Sequence, residues 1–140
     1  QTTSVSQNRK KWERELAADN TRREAQAVQD AAETLHENFV KRAFQTDSIC
    51  QLATASPHPV LVCGDFNSLP SSYTYHRFSE SLKDGFKTGG HGYMYTYRYG
   101  KRMLRIDYAF HSPELECTDY YSPNLDLCSD HNPVIFTVKY

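Results

Sequence analysis

The residues Val60-Leu61-Val62-Cys63 form an unbroken apolar run of strand length, closed by Pro59 on one side and Gly64 on the other. A run without polar alternation is the pattern of a strand covered on both faces, so the chain is expected to build a layered sheet. In that setting Cys63 reads as a buried small hydrophobe. The chain leaves the strand through Gly64-Asp65-Phe66-Asn67, and strand ends are where open α/β sheets hold their ligands. If the backbone stays extended, Asp65 and Asn67 point to one face. A carboxylate there can orient a water or a metal, and an amide can donate to a phosphoryl oxygen without adding charge. The competing reading is an Asx turn leading into the next helix.

Around this strand the expected organisation is mixed. Val28, Ala31, Ala32, Leu35, Phe39 and Ala43 recur at helical steps, which predicts an amphipathic helix from Thr21 to about Phe44. Thr21-Arg22-Arg23-Glu24 fits a capping box at its start. Residues 1–20 are set apart as a charged N-terminal segment, helix or loop, and residues 21–140 as one domain. Gln45 to Pro59 reads as a connection, and Leu69-Pro70-Ser71-Ser72 as the start of a short helix from Tyr73 to Leu82. Strands are predicted over Tyr93–Tyr99, Leu104–Phe110, Leu115–Tyr121 and Val134–Tyr140, punctuated by Gly100, Pro113, Pro123 and Pro133. Helices combined with antiparallel-looking strands define an α/β (α+β) layered architecture.

Composition narrows the function classes. A chain of 140 residues that is 39% hydrophobic and 13% aromatic suits one compact domain and not a disordered tail. Sixteen basic and 17 acidic residues give no global field for gripping a polyanion. Local basic clusters, Arg9-Lys10-Lys11-Arg14 with Arg22-Arg23, and Arg98, Lys101, Arg102, Arg105, read first as solvated faces. Cys50, Cys63, Cys117 and Cys128 lack the close spacing of a thiolate metal site and are too few for a disulfide framework. No apolar stretch reaches the length of a membrane span, so a membrane partner is not indicated. The first residue is Gln1, which leaves open an upstream targeting or membrane segment.

Two further motifs bear on chemistry. In Arg105-Ile106-Asp107-Tyr108-Ala109-Phe110 a carboxylate interrupts an apolar strand, an unfavourable position that needs a reason. Asp107 is either the orienter of a histidine or a metal ligand, or else the salt-bridge partner of Arg105 on the same face. Ser129-Asp130-His131-Asn132-Pro133 precedes the last strand. Asp130 offers oxygens to a hard cation and His131 a donor for phosphoryl charge, against the alternative of ordinary turn residues.

Taken in order and in strand context, these motifs resemble the second half of the endonuclease/exonuclease/phosphatase family, over roughly residues 20 to 140. The resemblance implies the C-terminal half of a four-layer α/β/β/α sandwich of mostly antiparallel sheet, hydrolysing phosphodiesters or phosphomonoesters with magnesium or manganese. Carried over by motif, Asp65 positions or deprotonates the attacking water and Asn67 binds a non-bridging phosphate oxygen. Asp107 fixes His131, His131 stabilises the transition state, and Asp130 contacts the metal. Tyr97 and Arg98, on the strand before Asp107, line the substrate entrance.

The family's early Asn and Glu metal ligands have no counterpart in this sequence. The resemblance therefore implies an incomplete centre, inactive alone, whose apolar sheet face is covered by the missing N-terminal half or by self-association. Substrate is open between nucleic acid and a small phosphorylated molecule. The alternating Tyr93, Tyr95, Tyr97 and Tyr99 read as a packed aromatic face or as a base-stacking surface. The rival functions are a noncatalytic fragment and a nucleic-acid-binding module.

Overall fold

The computed structural model describes residues 2–99, 101–125 and 128–140; the expected break at Gly100 lies outside them. The class is mixed α/β with antiparallel sheets, as the sequence indicates. Two compact units divide the chain, Gln1–Lys41 and Arg42–Tyr140. No helix among the described residues is long and apolar enough to cross a membrane.

Helix α1 runs unbroken from Thr2 to Ala55, 54 residues. This corrects the expected start at Thr21 and the expected connection over Gln45–Pro59. No proline or glycine precedes Pro57, so nothing in the backbone stops the helix until Ser56, where the following ring disfavours α geometry. The capping box is not used. Thr21 Oγ1 instead donates to the Ala17 carbonyl at 2.9 Å, an interior-helix bond. In the first unit the helix surface carries i,i+4 ion pairs, Arg9–Glu13 at 3.5 Å and Asp19–Arg23 at 3.0 Å.

In the second unit, β1 (Leu61–Asp65), β2 (Lys83–Asp84) and β3 (Asp107–His111) form an antiparallel sheet in the order β1-β3-β2. Two short helices intervene. α2 (Tyr73–Ser79) is capped by Ser72, whose hydroxyl accepts from Tyr75 N, and α3 (Gly85–Gly89) by Asp84, which accepts from Phe86 N. β4 (Glu116–Tyr121) and β5 (Ile135–Lys139) pair as a separate antiparallel ribbon.

One core cluster lies on one side of β1 and β3, while the other face of β3 packs through Ala109 against Met94, Cys117 and Tyr120. Cys50 and Ala53, on the last turns of α1, pack with Tyr75, Phe78, Leu82, Tyr108 and Phe110, joined by Val62 and Phe66. β1 is an edge strand buried on that face alone, so Leu61 and Cys63 are exposed. The expectation of burial on both faces, and of a buried Cys63, is corrected accordingly. Asp65 follows them on the open face by period two.

Tyr93–Tyr99 is not a regular strand. Thr96 N and Tyr97 N both donate to the Leu104 carbonyl, at 2.9 and 3.1 Å, which inserts an extra residue into the pairing. What survives is Tyr97, bridged to Leu104 on one side and to His131 on the other. The alternation itself is kept: Met94 and Thr96 are buried, while Tyr93 and Tyr99 are exposed. Those tyrosines therefore do not form the packed aromatic face.

Candidate active site

Three chain segments converge at the open end of the β1–β3 ladder. The antiparallel register sets Cys63 opposite Ala109 and Asp65 opposite Asp107. The third segment, Ser129–Asn132, is held alongside through the stretch around Tyr97: Arg98 N donates to the Asp130 carbonyl at 2.8 Å and Asn132 N to the Thr96 carbonyl at 2.7 Å.

This places His131 between the two carboxylates. Its Nδ1 lies 2.8 Å from Asp107 Oδ2 and its Nε2 4.0 Å from Asp65 Oδ2. The hydrogen bond to Asp107 is the main cause that lifts the His131 pKa above its ordinary value; the charges of Asp107, Asp65 and Asp130 add to it, and partial desolvation opposes it. A carboxylate on Nδ1 also fixes the ring orientation and leaves Nε2 facing the site. The Tyr97 ring meets the imidazole edge-on, with centroids 5.2 Å apart.

Asp65 makes the Asx turn that its surroundings suggested, and it faces His131 as well. Its Oδ1 accepts from Asn67 N at 2.8 Å and its Oδ2 from Asn67 Nδ2 at 3.0 Å. Asn67 adopts φ 45°, a left-handed conformation asparagine tolerates. Its carbonyl accepts from Arg42 Nη1 at 2.6 Å.

The salt bridge offered as the alternative role of Asp107 is absent. Arg105 is buried and pairs with Asp84 at 2.9 Å, its guanidinium stacked over Tyr108 and Phe86. Tyr108 OH lies 2.7 Å from both the Ser68 and the Arg105 carbonyls, tying the turn after Asn67 to the segment before Asp107.

Asp65, Asp107 and His131 each offer a ligand atom, and these atoms lie within 4.8 Å of one another. Two carboxylates on a shared face suit a hard divalent cation, and two like charges directly opposite each other across a ladder favour one. The donor set thus fits a metal. Asp130, the expected metal ligand, is exposed and outside this group. Arg98 Nη1 donates to the Ser129 carbonyl at 2.8 Å, so Arg98 and Tyr97 both border the His131 segment. A cavity of about 420 Å³ opens here, lined by Cys63, Asp65, Asp107, Ala109, His131, Asn132, Val134 and Phe136.

Two residues at the site were not singled out by sequence. Thr96 is fully buried, and its hydroxyl accepts from Ile106 N at 3.0 Å and Asp107 N at 3.1 Å. Its signal is positional: it is the one hydroxyl on the face opposite the alternating tyrosines. Asn132 is buried at 3% exposure, with both side-chain amide atoms lacking a partner among the described residues. Nothing in the Asn-Pro pair marks it beyond a turn.

The α/β fold thus gathers a carboxylate–imidazole–carboxylate cluster at its strand ends. The model of the Endonuclease/Exonuclease/phosphatase family matches residues 16–131, and the chain belongs to that family. No curated protein matches the chain. Among solved structures it is similar to an endonuclease/exonuclease/phosphatase from Bacteroides vulgatus, at 26% identity and a TM-score of 0.62 over 70% of this chain and 43% of that one. It is similar to the human Nocturnin catalytic domain with bound sulfate, at 26% identity and a TM-score of 0.50 over 69% and 41%. It shares the fold of a Bacteroides thetaiotaomicron mannosyl-6-phosphatase, at 24% identity and a TM-score of 0.51 over 70% and 44%. The chain spans under half the length of each of these structures.

Proposed function

We propose that this chain carries the water-activating and phosphate-holding side of a divalent-metal-dependent phosphoesterase centre. The observation that supports it most is the placement of His131 Nδ1 at 2.8 Å from Asp107 with Nε2 turned toward Asp65. Asp65 orients the attacking water and accepts its proton, and it is steadied for this by the two bonds from Asn67. Asn67 turns its amide to a non-bridging phosphate oxygen once substrate displaces the bond to Asp65. Asp107 holds the His131 ring in one orientation and favours its charged form, and the Nε2 proton stabilises the negative charge that develops on the phosphoryl oxygens.

Tyr97 and Arg98 border the entrance beside His131. Asp65 and Asp107 would hold a magnesium or manganese ion, with Asp130 within reach of its waters, and the ion would supply Lewis-acid polarisation of a phosphoryl group. The sulfate in the Nocturnin structure supports a tetrahedral anion as the ligand of this fold. Its class is a phosphate ester, nucleic acid or small phosphorylated molecule.

Catalysis is further expected to need metal ligands from a segment outside this sequence, so the chain alone is inactive. The test mixes the chain with a polypeptide carrying the family's N-terminal half. Magnesium-dependent release of p-nitrophenol from mono- and bis-p-nitrophenyl phosphate is the expected result, abolished by EDTA and by His131→Ala. Turnover that survives His131→Ala ends the assignment.

A further inference from the structure

The segment around Thr96 lies between the two halves of the candidate centre. On one side Thr96 N donates to the Leu104 carbonyl at 2.9 Å, and on the other Asn132 N donates to the Thr96 carbonyl at 2.7 Å. The Thr96 side chain adds what a backbone bridge cannot. Its Oγ1 accepts from the amides of Ile106 and Asp107, at 3.0 and 3.1 Å, and the residue has no exposed surface. The ladder is irregular here, since Thr96 N and Tyr97 N share one carbonyl. Without the hydroxyl, the amide of Ile106 would therefore face the bulge with no acceptor.

One residue thus grips the backbone of Asp107 through its side chain and the backbone next to His131 through its carbonyl. We infer that Thr96 is a positioning residue that sets the spacing of the Asp107–His131 pair through its hydroxyl, and so dictates which imidazole nitrogen carries the proton. This rests on the reading of Asp107 and His131 given under Proposed function. Thr96 touches neither substrate nor the reacting atoms; it acts by fixing the Asp107 backbone, from which the carboxylate reaches Nδ1.

The hydroxyl is the chemical requirement, so the conservative and the isosteric replacements should part company. Thr96→Ser keeps the acceptor, and Thr96→Val keeps the shape and removes it. The readout is the long-range ¹H–¹⁵N spectrum of the His131 ring in the chain itself, with neutral imidazole, which reports the tautomer without requiring turnover. The wild type and Thr96→Ser are expected to hold the proton on Nδ1, while folded Thr96→Val shows a mixture of both tautomers.

Retention of the single Nδ1 tautomer in Thr96→Val overturns the inference and leaves the site reading intact. A wild type whose proton sits on Nε2 overturns both. Should the valine variant not fold, amide exchange in the wild type decides. Protection of the Ile106 and Asp107 amides is expected, about fivefold or more slower than in neighbouring loops, the factor one net hydrogen bond of about 1 kcal/mol represents. Exchange as fast as in those loops overturns the inference.

Discussion

Asp65 and Asp107 stand directly opposite one another across the antiparallel β1–β3 ladder, two carboxylates on one open face. Such a pair is destabilising unless positive charge lies between them. His131 supplies part of it when protonated, touching Asp107 at 2.8 Å and approaching Asp65 at 4.0 Å. A divalent cation would supply the rest. Magnesium or manganese should therefore raise the thermal midpoint of the chain in a concentration-dependent way, with about 2.7 kcal/mol of stabilisation at a hundredfold excess over Kd. Asp65→Asn should blunt the effect. A calorimetric midpoint indifferent to both ions would show that these carboxylates do not hold a metal.

The raised pKa of His131 makes a signed prediction about pH. The hydrogen bond to Asp107 leads the upward shift, so the folded state binds the imidazole proton more tightly than the unfolded chain does. The stabilisation is then complete below the ordinary imidazole value of about 6.5 and fades as pH rises through the higher folded value. In EDTA, the denaturation midpoint of the wild type should exceed that of His131→Gln most at mildly acid pH, and the gap should close toward alkaline pH. A gap that widens with pH would reverse the sign and contradict the pairing.

The buried pair of Arg105 and Asp84 answers a different question, what holds β3 in place. Asp84 bonds Arg105 at 2.9 Å and Tyr75 OH at 2.7 Å while capping α3. Both side chains are nearly sealed, 8% and 1% exposed. Removing one charge leaves the other buried without a partner, at a cost of about 3–5 kcal/mol. Asp84→Ala should lower stability in urea by that order, whereas Asp130→Ala, on an exposed loop, should be near neutral. Similar losses for both would mean that Arg105 finds another acceptor.

The sequence was most informative where one residue's chemistry conflicts with its local setting. Asp107 inside an apolar strand demanded a partner, and its partner proved to be His131. The identity of the competing ion pair was not legible: Asp84, which takes Arg105, lies far along the chain and reads as an ordinary helix cap. The start of α1 was missed because a capping box is only a local option. With no proline or glycine nearby, Thr21 satisfies its hydroxyl within a continuing helix. Thr96 escaped for a similar reason, since its role depends on a bulge that periodicity cannot express.

The last prediction separates positioning from charge within the pair. Asp107→Asn preserves the size of the side chain and can still meet Nδ1, but it removes the negative charge that draws the proton to His131. It also relieves the opposition to Asp65, so with the metal chelated and at alkaline pH, where the His131 charge no longer contributes, the folded chain should be no less stable than the wild type. Activity should move the other way. With His131 losing its charge toward neutral pH, hydrolysis in the reconstituted system should fall by about 10²–10⁴-fold, the usual contribution of a positioned acid–base group. Part of that loss should return on lowering the pH, because acid restores the imidazolium that the carboxylate no longer supports. A loss of activity that tracks a loss of stability, with no recovery in acid, would mean that Asp107 serves the fold alone.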